Sequence, residues 1–460
     1  MVILKASHIV KPAEPIPEKV MFLSECDQAN ALTHAPSVYF YKPTTHSVEE
    51  IVHILMDSLS KALVRFYPLA GRLRETNGGG SGGGRVELHC NNSVDGGALF
   101  VEAESDLTID DFGDFCPTPE LRSLIPSVDF DVIPVDEAPL LILQVTKLKC
   151  GGISLGTGIS HVVGDGQSAG HFFTEWVKIA RREKSDDHPF LDRTVLQEFE
   201  KDHRRILPSP DFFCLPVLLG SSDNLEERKK VTATFMLKLS KEQIQALKSK
   251  ANEINGQDSR VSGCRYRYPF TRIEAVCAHI WKCVSLARGL KSEQETVLFV
   301  SVDFRNRVNP PLPKRYFGNA VIPLPVLSTV GELLSNPLSY ISRKIRTEIE
   351  NVCDDTVRAY LNRIKNIPDI STMRYSHIVG NTQGAFFGNP NLLITSWVGL
   401  PIFGANFGWG NEIFLGPGAL GYDGRFAIIP SQNGDESFLV PLRLQVEHAT
   451  AFHKYFIEEI

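Results

Sequence analysis

Several features that define common protein classes are missing from this 460-residue chain. No stretch approaches the roughly 18 to 20 consecutive apolar residues that a membrane-spanning helix needs. The first residues, MVILKASHIVKPAEP, contain neither an apolar signal core nor a small-residue cleavage site, so we expect no membrane association and a cytoplasmic location. No long basic run offsets the formal charge of −6, which argues against nucleic acid as a partner.

Recognisable metal and nucleophile motifs are missing too. The nine cysteines are odd in number and none stands in Cys-x-x-Cys spacing, so the sequence predicts neither a disulfide framework nor a bound metal. No Gly-x-Ser-x-Gly segment stands at a turn from a predicted strand into a predicted helix, where a serine hydrolase would carry its nucleophile, which argues against that class. The glycine-rich residues 76–84 run into a strand-like segment instead of a Gly-Lys-Ser/Thr helix start, which predicts a hairpin tip and not a phosphate-binding loop.

The remaining composition is that of a globular α/β protein. Apolar residues make up 43% of the chain and charged residues 22%, and the length favours two domains. We predict an N-terminal domain at 1–198, a proline-containing crossover loop at 199–226 and a C-terminal domain at 227–460. Helical periodicity is present at 48–65, 168–180, 241–252, 271–287 and 338–351. Strands are predicted at 38–41 and in a hairpin formed by 140–147 and 152–155.

The most informative segment is SHVVGDG, residues 160–166. It places His161 between an apolar strand and a helix, where a tight turn can project the imidazole into a cleft. With an ordinary pKa near 6.5, such a side chain is mostly neutral at pH 7 and can accept a proton. Asp165 could orient the imidazole, as in a triad, or brace the loop against an arginine. An ordinary strand-end histidine beside a turn is the alternative to a catalytic base.

Two further segments support a functional reading of this motif. They are GANFGWG at 404–410 and SVDFRNR at 301–307, the latter leading into YFGN at 316–319. Together with the motif around His161, they resemble the BAHD acyltransferase family, whose marks are HxxxDG and a C-terminal DFGWG. The likeness covers essentially the whole chain. It implies an α/β fold of two chloramphenicol-acetyltransferase-like domains joined by a crossover loop, with an active-site tunnel at their interface.

The resemblance also implies roles for individual residues. His161 would be the general base, while Asp165 would point away from the substrate and pair with Arg305. The structural positions near the site would be Asp165, Gly166, Arg305, Asn406, Gly408, Trp409 and Gly410. The family's aspartate is replaced by Asn406, which keeps hydrogen bonds but not charge. The resemblance further implies acyl-CoA as co-substrate, no bound cofactor, and a monomer.

A direct attack on a thioester needs no covalent acyl-enzyme, but its oxyanion needs hydrogen-bond donors. The segment around Thr395 and Trp397 resembles the family's lining of that position, although it is also a good strand. A strand bearing His34, Ser37 and Tyr39 borders the acyl pocket in relatives, and here too a purely structural role is the alternative.

The acceptor is predicted from the segments 223–230, 388–392 and 456–460, which look like those of spermidine hydroxycinnamoyl transferases, and from Gly399. The chain resembles spermidine hydroxycinnamoyl transferases, whereas its shikimate-using relatives carry a carboxylate-binding arginine where this chain has Gly399. We therefore predict hydroxycinnamoyl transfer from CoA to an amine of a polyamine such as spermidine, with Glu412 as a candidate anchor for a distant ammonium. The alternatives are O-acylation of a shikimate-like, alcohol or alkaloid acceptor, and an inactive ligand-binding relative.

Overall fold

The computed structural model describes residues 1–76, 83–91, 96–130, 132–197, 217–219, 225–253, 268–375 and 386–460. The strands are β1 (Val2–Val10), β2 (Lys19–Met21), β3 (His34–Tyr41), β4 (Arg72–Glu75), β5 (Val86–Cys90), β6 (Ala98–Ser105), β7 (Leu141–Lys147), β8 (Ile153–Ser160), β9 (Thr232–Leu239), β10 (Glu295–Asp303), β11 (Val321–Thr329), β12 (Leu392–Ser396), β13 (Phe414–Pro417), β14 (Arg425–Pro430) and β15 (Phe438–Gln445).

Helices separate these strands. They are α1 (Glu25–Gln28), α2 (Val48–Arg65), α3 (Pro119–Arg122), α4 (Gly166–Ala180), α5 (Leu225–Lys229), α6 (Lys241–Ala251), α7 (Arg272–Arg288), α8 (Val330–Ser335), α9 (Leu338–Glu350), α10 (Asp354–Lys365), α11 (Ser371–Tyr375) and α12 (Val446–Glu458), with 3₁₀ turns at Tyr67–Ala70 and Asp110–Phe112. None of the helices in the described ranges combines the length and apolarity required to cross a membrane.

The first large sheet has the strand order β1-β6-β7-β8-β3-β13. Helices α2 and α4 cover one of its faces, where Leu59 and Trp176 join a buried cluster with Leu155. The edge strand β13 comes from the C-terminal part of the chain and pairs antiparallel with β3. A segment distant in sequence therefore completes the N-terminal sheet.

The second large sheet has the order β11-β10-β12-β14-β15-β9. Its helix-covered face buries Ile394 and Phe426 together with Trp281 of α7 and Phe452 of α12. The small third sheet, β2-β5-β4, contains the hairpin predicted around the glycine-rich segment, and β4 and β5 pair antiparallel on either side of it. The tip itself, at 77–82, lies outside the described residues.

The helices with strong local signals begin and end close to their predicted bounds. Ser47, Ser240 and Thr271 each form a capping box at the start of α2, α6 and α7. Helix α4 begins two residues earlier than predicted because the Asp165 side chain accepts a hydrogen bond from Ser168 N and so caps the helix. The predicted hairpin is present as the antiparallel pair β7–β8.

Strand β3 is longer than predicted and includes Pro36. The carbonyl of Pro36 accepts a hydrogen bond from Gly418 N, so its nitrogen faces the same side, where β13 has already ended at Pro417. Proline therefore removes no ladder hydrogen bond at this position. The predicted crossover loop at 199–226 lies outside the described residues except for 217–219 and 225–226, and the domain bounds remain predictions.

Candidate active site

His161 lies where the buried strand β8 gives way to α4. Its backbone N–H donates to Thr33 O at 2.9 Å, which fixes the start of the turn against the chain preceding β3. The residue as a whole is partly exposed, but its Nδ1 atom is buried and has no hydrogen-bond partner at ordinary distance in the described ranges. The imidazole at this junction of strand and helix is therefore available to contact a substrate.

Burial is the main reason that the pKa of His161 lies below its ordinary value, because a desolvated imidazole resists protonation. The positive charge of Arg425 lowers this pKa further, while Asp165 and the amide of Asn319 act weakly in the opposite direction. The imidazole is therefore neutral at pH 7. A neutral imidazole is the form that can remove a proton from a substrate.

The backbone of the turn is held by a buried polar network. The Asn319 amide donates to His161 O at 2.9 Å and to Asp27 Oδ1 at 2.8 Å. Arg193 donates to Val163 O at 2.7 Å and forms an ion pair with Asp27 at 3.1 Å. Both charged side chains are fully buried. Asp27 and Arg193 were not predicted, because no local sequence signal marks a charged residue as buried; Asn319 stood in a recognised motif.

Asp165 points into a second network and pairs with Arg305, as the resemblance implied. The two guanidinium Nη atoms of Arg305 donate to the two oxygens of Asp165 at 2.8 and 2.9 Å. Asp165 also accepts from Ser168 N and from Ala320 N, both at 3.0 Å. Burial by itself would raise the pKa of Asp165, but Arg305 and these hydrogen bonds outweigh it and hold the pKa below its ordinary value. The carboxylate braces the turn instead of orienting His161.

The segment that follows β12 passes the beginning of α4. A Cβ atom at Gly166 would lie 2.8 Å from Leu400 Cδ1, so the glycine permits this close approach. Trp397 packs against the N-terminal apolar cluster, and its backbone N–H donates to Ile428 O at 2.9 Å. Thr395 is partly exposed and its hydroxyl makes no hydrogen bond to any described residue. Thr395 therefore retains a free donor on the side of β12 that faces away from the helices.

The loop at 404–410 is fastened to the N-terminal sheet. Tyr41 donates to Ala405 O at 2.8 Å, and Trp409 packs edge-on against the Tyr41 ring with centroids 6.2 Å apart. Asn406 Oδ1 accepts from Gly408 N at 2.9 Å and from Gly410 N at 3.1 Å. These glycines have φ values of 126° and 107°, which a residue with a Cβ rarely adopts. The loop therefore connects the C-terminal part of the chain to the N-terminal sheet. In the described part of the chain, no arginine is hydrogen-bonded to Asn406.

Two residues tied to the predicted acceptor site have different environments. Gly399 is exposed with a φ of 85°, and nothing lies within 4 Å of the position that a Cβ would take. Glu412, proposed above as an anchor for an ammonium group, is buried, and its carboxylate accepts from Gly404 N at 2.7 Å and Ala405 N at 2.8 Å. The prediction that Glu412 anchors an ammonium group is wrong, because the side chain is buried and its carboxylate holds the backbone of the loop.

The strand β3 does not bring its three predicted pocket residues together. His34 Nε2 lies 2.8 Å from Pro139 O, and burial lowers the pKa of His34 to about 4. Because side chains alternate along a strand, Ser37 and Tyr39 face the opposite side from His34. Tyr39 is buried in the N-terminal apolar cluster, where its hydroxyl donates to Ile402 O at 3.2 Å. Tyr39 thus serves the core rather than an open pocket.

In the part of the chain that the structure describes, one cluster of potential metal ligands includes two residues of α4. Donor atoms of His171, Glu175 and Asp187 all lie within 4.8 Å of one another. Glu175 is already paired with Lys178 at 2.7 Å, and Asp187 is paired with Arg315. Because Lys178 and Arg315 already supply the positive charge that a metal would bring, we interpret the cluster as a set of structural ion pairs.

The chain is similar over its whole length to known transferases. A family model described as the Transferase family matches residues 1–458. The chain is 46% identical to hydroxycinnamoyl-CoA:piscidic acid hydroxycinnamoyltransferase of Actaea racemosa, with 100% of both chains covered. It is 38% identical to shikimate O-hydroxycinnamoyltransferase of Nicotiana tabacum, with 99% of both covered. It is 35% identical to a hydroxycinnamoyl-CoA:5-hydroxyanthranilate N-hydroxycinnamoyltransferase of Avena sativa, with 98% of both covered.

Solved structures share the fold at lower sequence identity. Vinorine synthase superposes with a TM-score of 0.70 at 22% identity, covering 98% of this chain and 96% of that one. The F. graminearum TRI101 complex with coenzyme A and T-2 mycotoxin gives a TM-score of 0.75 at 16% identity, covering 95% and 96%. The expected mixed α/β fold of two domains is confirmed.

Proposed function

Since the chain belongs to the Transferase family, the BAHD acyltransferases, and is an enzyme that uses acyl-CoA as its co-substrate, we propose that it transfers a hydroxycinnamoyl group from CoA to a hydroxyl or amine of a small organic acid. The donor is inferred from the names of the three relatives, which all contain a hydroxycinnamoyl group. The acceptor class rests on the same names, since piscidic acid, shikimate and 5-hydroxyanthranilate are all carboxylic acids or their anions.

The proposed reaction is a direct transfer in which His161 is the general base. The observation that carries this role is its position between β8 and α4 with a buried Nδ1 that has no hydrogen-bond partner in the described ranges. The lowered pKa of His161 supports it, because a protonated imidazole could not accept the acceptor's proton. The acceptor oxygen or nitrogen attacks the thioester carbonyl as the proton moves to His161. Collapse of the tetrahedral intermediate breaks the C–S bond, and the proton passes to the departing thiolate. The thioester is already activated, so positioning supplies much of the remaining catalysis.

The oxyanion of the intermediate requires a donor close to the thioester carbonyl. We assign this role to the Thr395 hydroxyl and the Trp397 indole N–H. The support is that neither side chain makes a hydrogen bond within the described chain, and that the segment bearing them runs beside the turn of His161. A donor engaged elsewhere in the fold would have to break a hydrogen bond at each turnover.

An acid acceptor is favoured over the polyamine predicted from Gly399. The loss of Glu412 as an anchor removes the acidic group that was to hold a distant ammonium. The positive charge of Arg425 near His161 also opposes a polycation and attracts an anion. The polyamine remains the competing acceptor, since Gly399 still leaves that position without an arginine.

The test is a panel of acceptors with p-coumaroyl-CoA as donor. Piscidic acid, shikimate and 5-hydroxyanthranilate are compared with spermidine and with a simple alcohol by steady-state kinetics. We expect at least one acid to give a higher kcat/KM than spermidine, and His161→Ala to lose about 10² to 10⁴ in kcat with that acid. Spermidine turning over faster than every acid would restore the polyamine prediction. A His161→Ala enzyme that retains more than about a tenth of wild-type turnover would refute the base.

A further inference from the structure

Arg425 begins strand β14 and lies on the same face of the second sheet as Thr395. Strands β12 and β14 are parallel, with Leu393 opposite Arg425 and Thr395 two residues farther along the same strand. Side chains alternate along a strand, and Phe426 and Ile428 are buried in the helix-covered core. The side chain of Arg425 must therefore leave on the other face, which is the face of Leu393 and of the proposed oxyanion donor.

The charge of Arg425 is not neutralised by a carboxylate of the described chain. Its guanidinium lies over the ring of Tyr422, 5.7 Å from the centroid, and the residue is only partly exposed. In contrast, the nearby Arg288 is paired with Asp423 at 2.9 Å. A partly buried guanidinium has lost some of its hydration and gains strongly from an anion placed against it.

The position of Arg425 limits which anion can bind to its guanidinium group. Arg425 lies on the sheet face that carries Thr395, and its positive charge also acts on His161, so it lies near the proposed point of acyl transfer. The long pantetheine arm of CoA keeps the phosphates far from the thioester sulfur. A hydroxycinnamoyl group has no carboxylate left once that carboxyl is bound to CoA. Of the groups that meet at His161, only the acceptor can supply a stable negative charge.

We propose that Arg425 binds a carboxylate of the acceptor and thereby selects acids over neutral alcohols and polyamines. This inference rests on the proposed function and assigns its specificity to one residue. The planar guanidinium can donate two parallel hydrogen bonds to a carboxylate. This pairing holds the acceptor in one orientation and also balances its negative charge. Its location beside Thr395 would hold the acceptor's attacking hydroxyl or amine against the thioester.

The experiment compares an acid acceptor with its neutral methyl ester in the wild-type enzyme and in variants. Piscidic acid, shikimate and their methyl esters serve as probes with p-coumaroyl-CoA. We expect Arg425→Gln to raise KM for the acid by about 10- to 100-fold while changing KM for the ester less than about threefold. Arg425→Lys should recover part of the loss, since it restores the charge but not the bidentate geometry. The matched control is Arg272→Gln, which removes an exposed arginine of the same half and should leave both values unchanged.

The outcomes separate this inference from the proposed function. If the wild-type enzyme acylates an acid but Arg425→Gln lowers kcat/KM equally for acid and ester, Arg425 does not recognise the carboxylate, and the proposed function survives. If the wild-type enzyme acylates spermidine and none of the acids, both are overturned. Because acid and ester are compared within one variant, a partial loss of folded enzyme lowers both rates alike and cannot imitate the expected result.

Discussion

Replacing Asp165 by asparagine removes the carboxylate that joins the turn of His161 to Arg305. The pair is bidentate, and the side chains of Asp165 and Arg305 are only 3% and 14% exposed. Breaking such a buried pair usually costs about 3 to 5 kcal/mol, because the remaining charge is left uncompensated. Arg305 keeps Asp303 at 2.8 Å, and asparagine can still accept from Ser168 N. We therefore expect a loss near the lower limit, about 3 kcal/mol.

For a domain of ordinary size, a loss of about 3 kcal/mol in unfolding free energy corresponds to a decrease in Tm of roughly 6 to 12 °C. At a temperature well below the new Tm, kcat should fall less than about tenfold, because Asp165 makes no hydrogen bond to His161. Thermal unfolding followed by circular dichroism and steady-state kinetics on the same preparation measure both quantities. Asp303→Asn is the matched control: its carboxylate is 36% exposed, so its loss should cost less than about 1 kcal/mol.

The difference in stability between the wild-type protein and Asp165→Asn should depend on pH. The pKa of folded Asp165 lies below its ordinary value, whereas an unfolded aspartate titrates near about 3.9. The pair therefore contributes its full stability above about pH 5 and loses it as pH falls below about 4. The Tm of the wild-type protein should approach that of Asp165→Asn in this acidic range. A fall in kcat of about 10⁴ with an unchanged Tm would refute the structural role, because a triad residue that orients the base behaves in that way.

Three further predictions concern His161, Arg425 and Asn406. Because the pKa of His161 lies below about 6.5, kcat/KM for an acid acceptor should be constant from pH 7 to 8 and fall only at more acidic pH. A steady rise of kcat/KM for that acceptor between pH 7 and 8 would contradict a base that is already neutral at pH 7. Arg425→Gln should move this acidic limb to higher pH, since it removes a positive charge that lowers the same pKa. Asn406→Asp keeps an acceptor for Gly408 N and Gly410 N, so its unfolding free energy should change by less than about 1 kcal/mol, and a large decrease in Tm would show that the loop depends on a neutral amide.

Local structure was predictable where the determining residues are close in sequence. The bounds of α2, α6 and α7 follow from helical periodicity and from caps that lie within three residues of the helix start. The pairing of Asp165 with Arg305 came from the family resemblance. Residue patterns alone left both a triad and a brace open for Asp165, because they do not specify the direction of its side chain.

The environment of each charged group, in contrast, depended on residues far apart in the chain. Asp27 and Asn319 are 292 residues apart, yet the hydrogen bonds between them help to hold the turn of His161. The register between β12 and β14 places Arg425 on the face of Thr395, and a shift of one residue would have turned it into the core. The folding of the 404–410 loop converted Glu412 from a candidate anchor into a backbone brace.

The fold class and the use of a CoA thioester were thus predictable through the family resemblance, which a few short motifs carry, whereas His161 as the base stays a prediction. Which charged side chains can meet a substrate depends instead on how distant parts of the chain pack together. Whether a charge is free depends on burial and on distant partners, because hydrogen bonds and ion pairs act over a few ångströms whatever the separation along the chain. Glu412 and Arg425 illustrate this, since one charge is bound within the fold and the other has no carboxylate partner in the described chain.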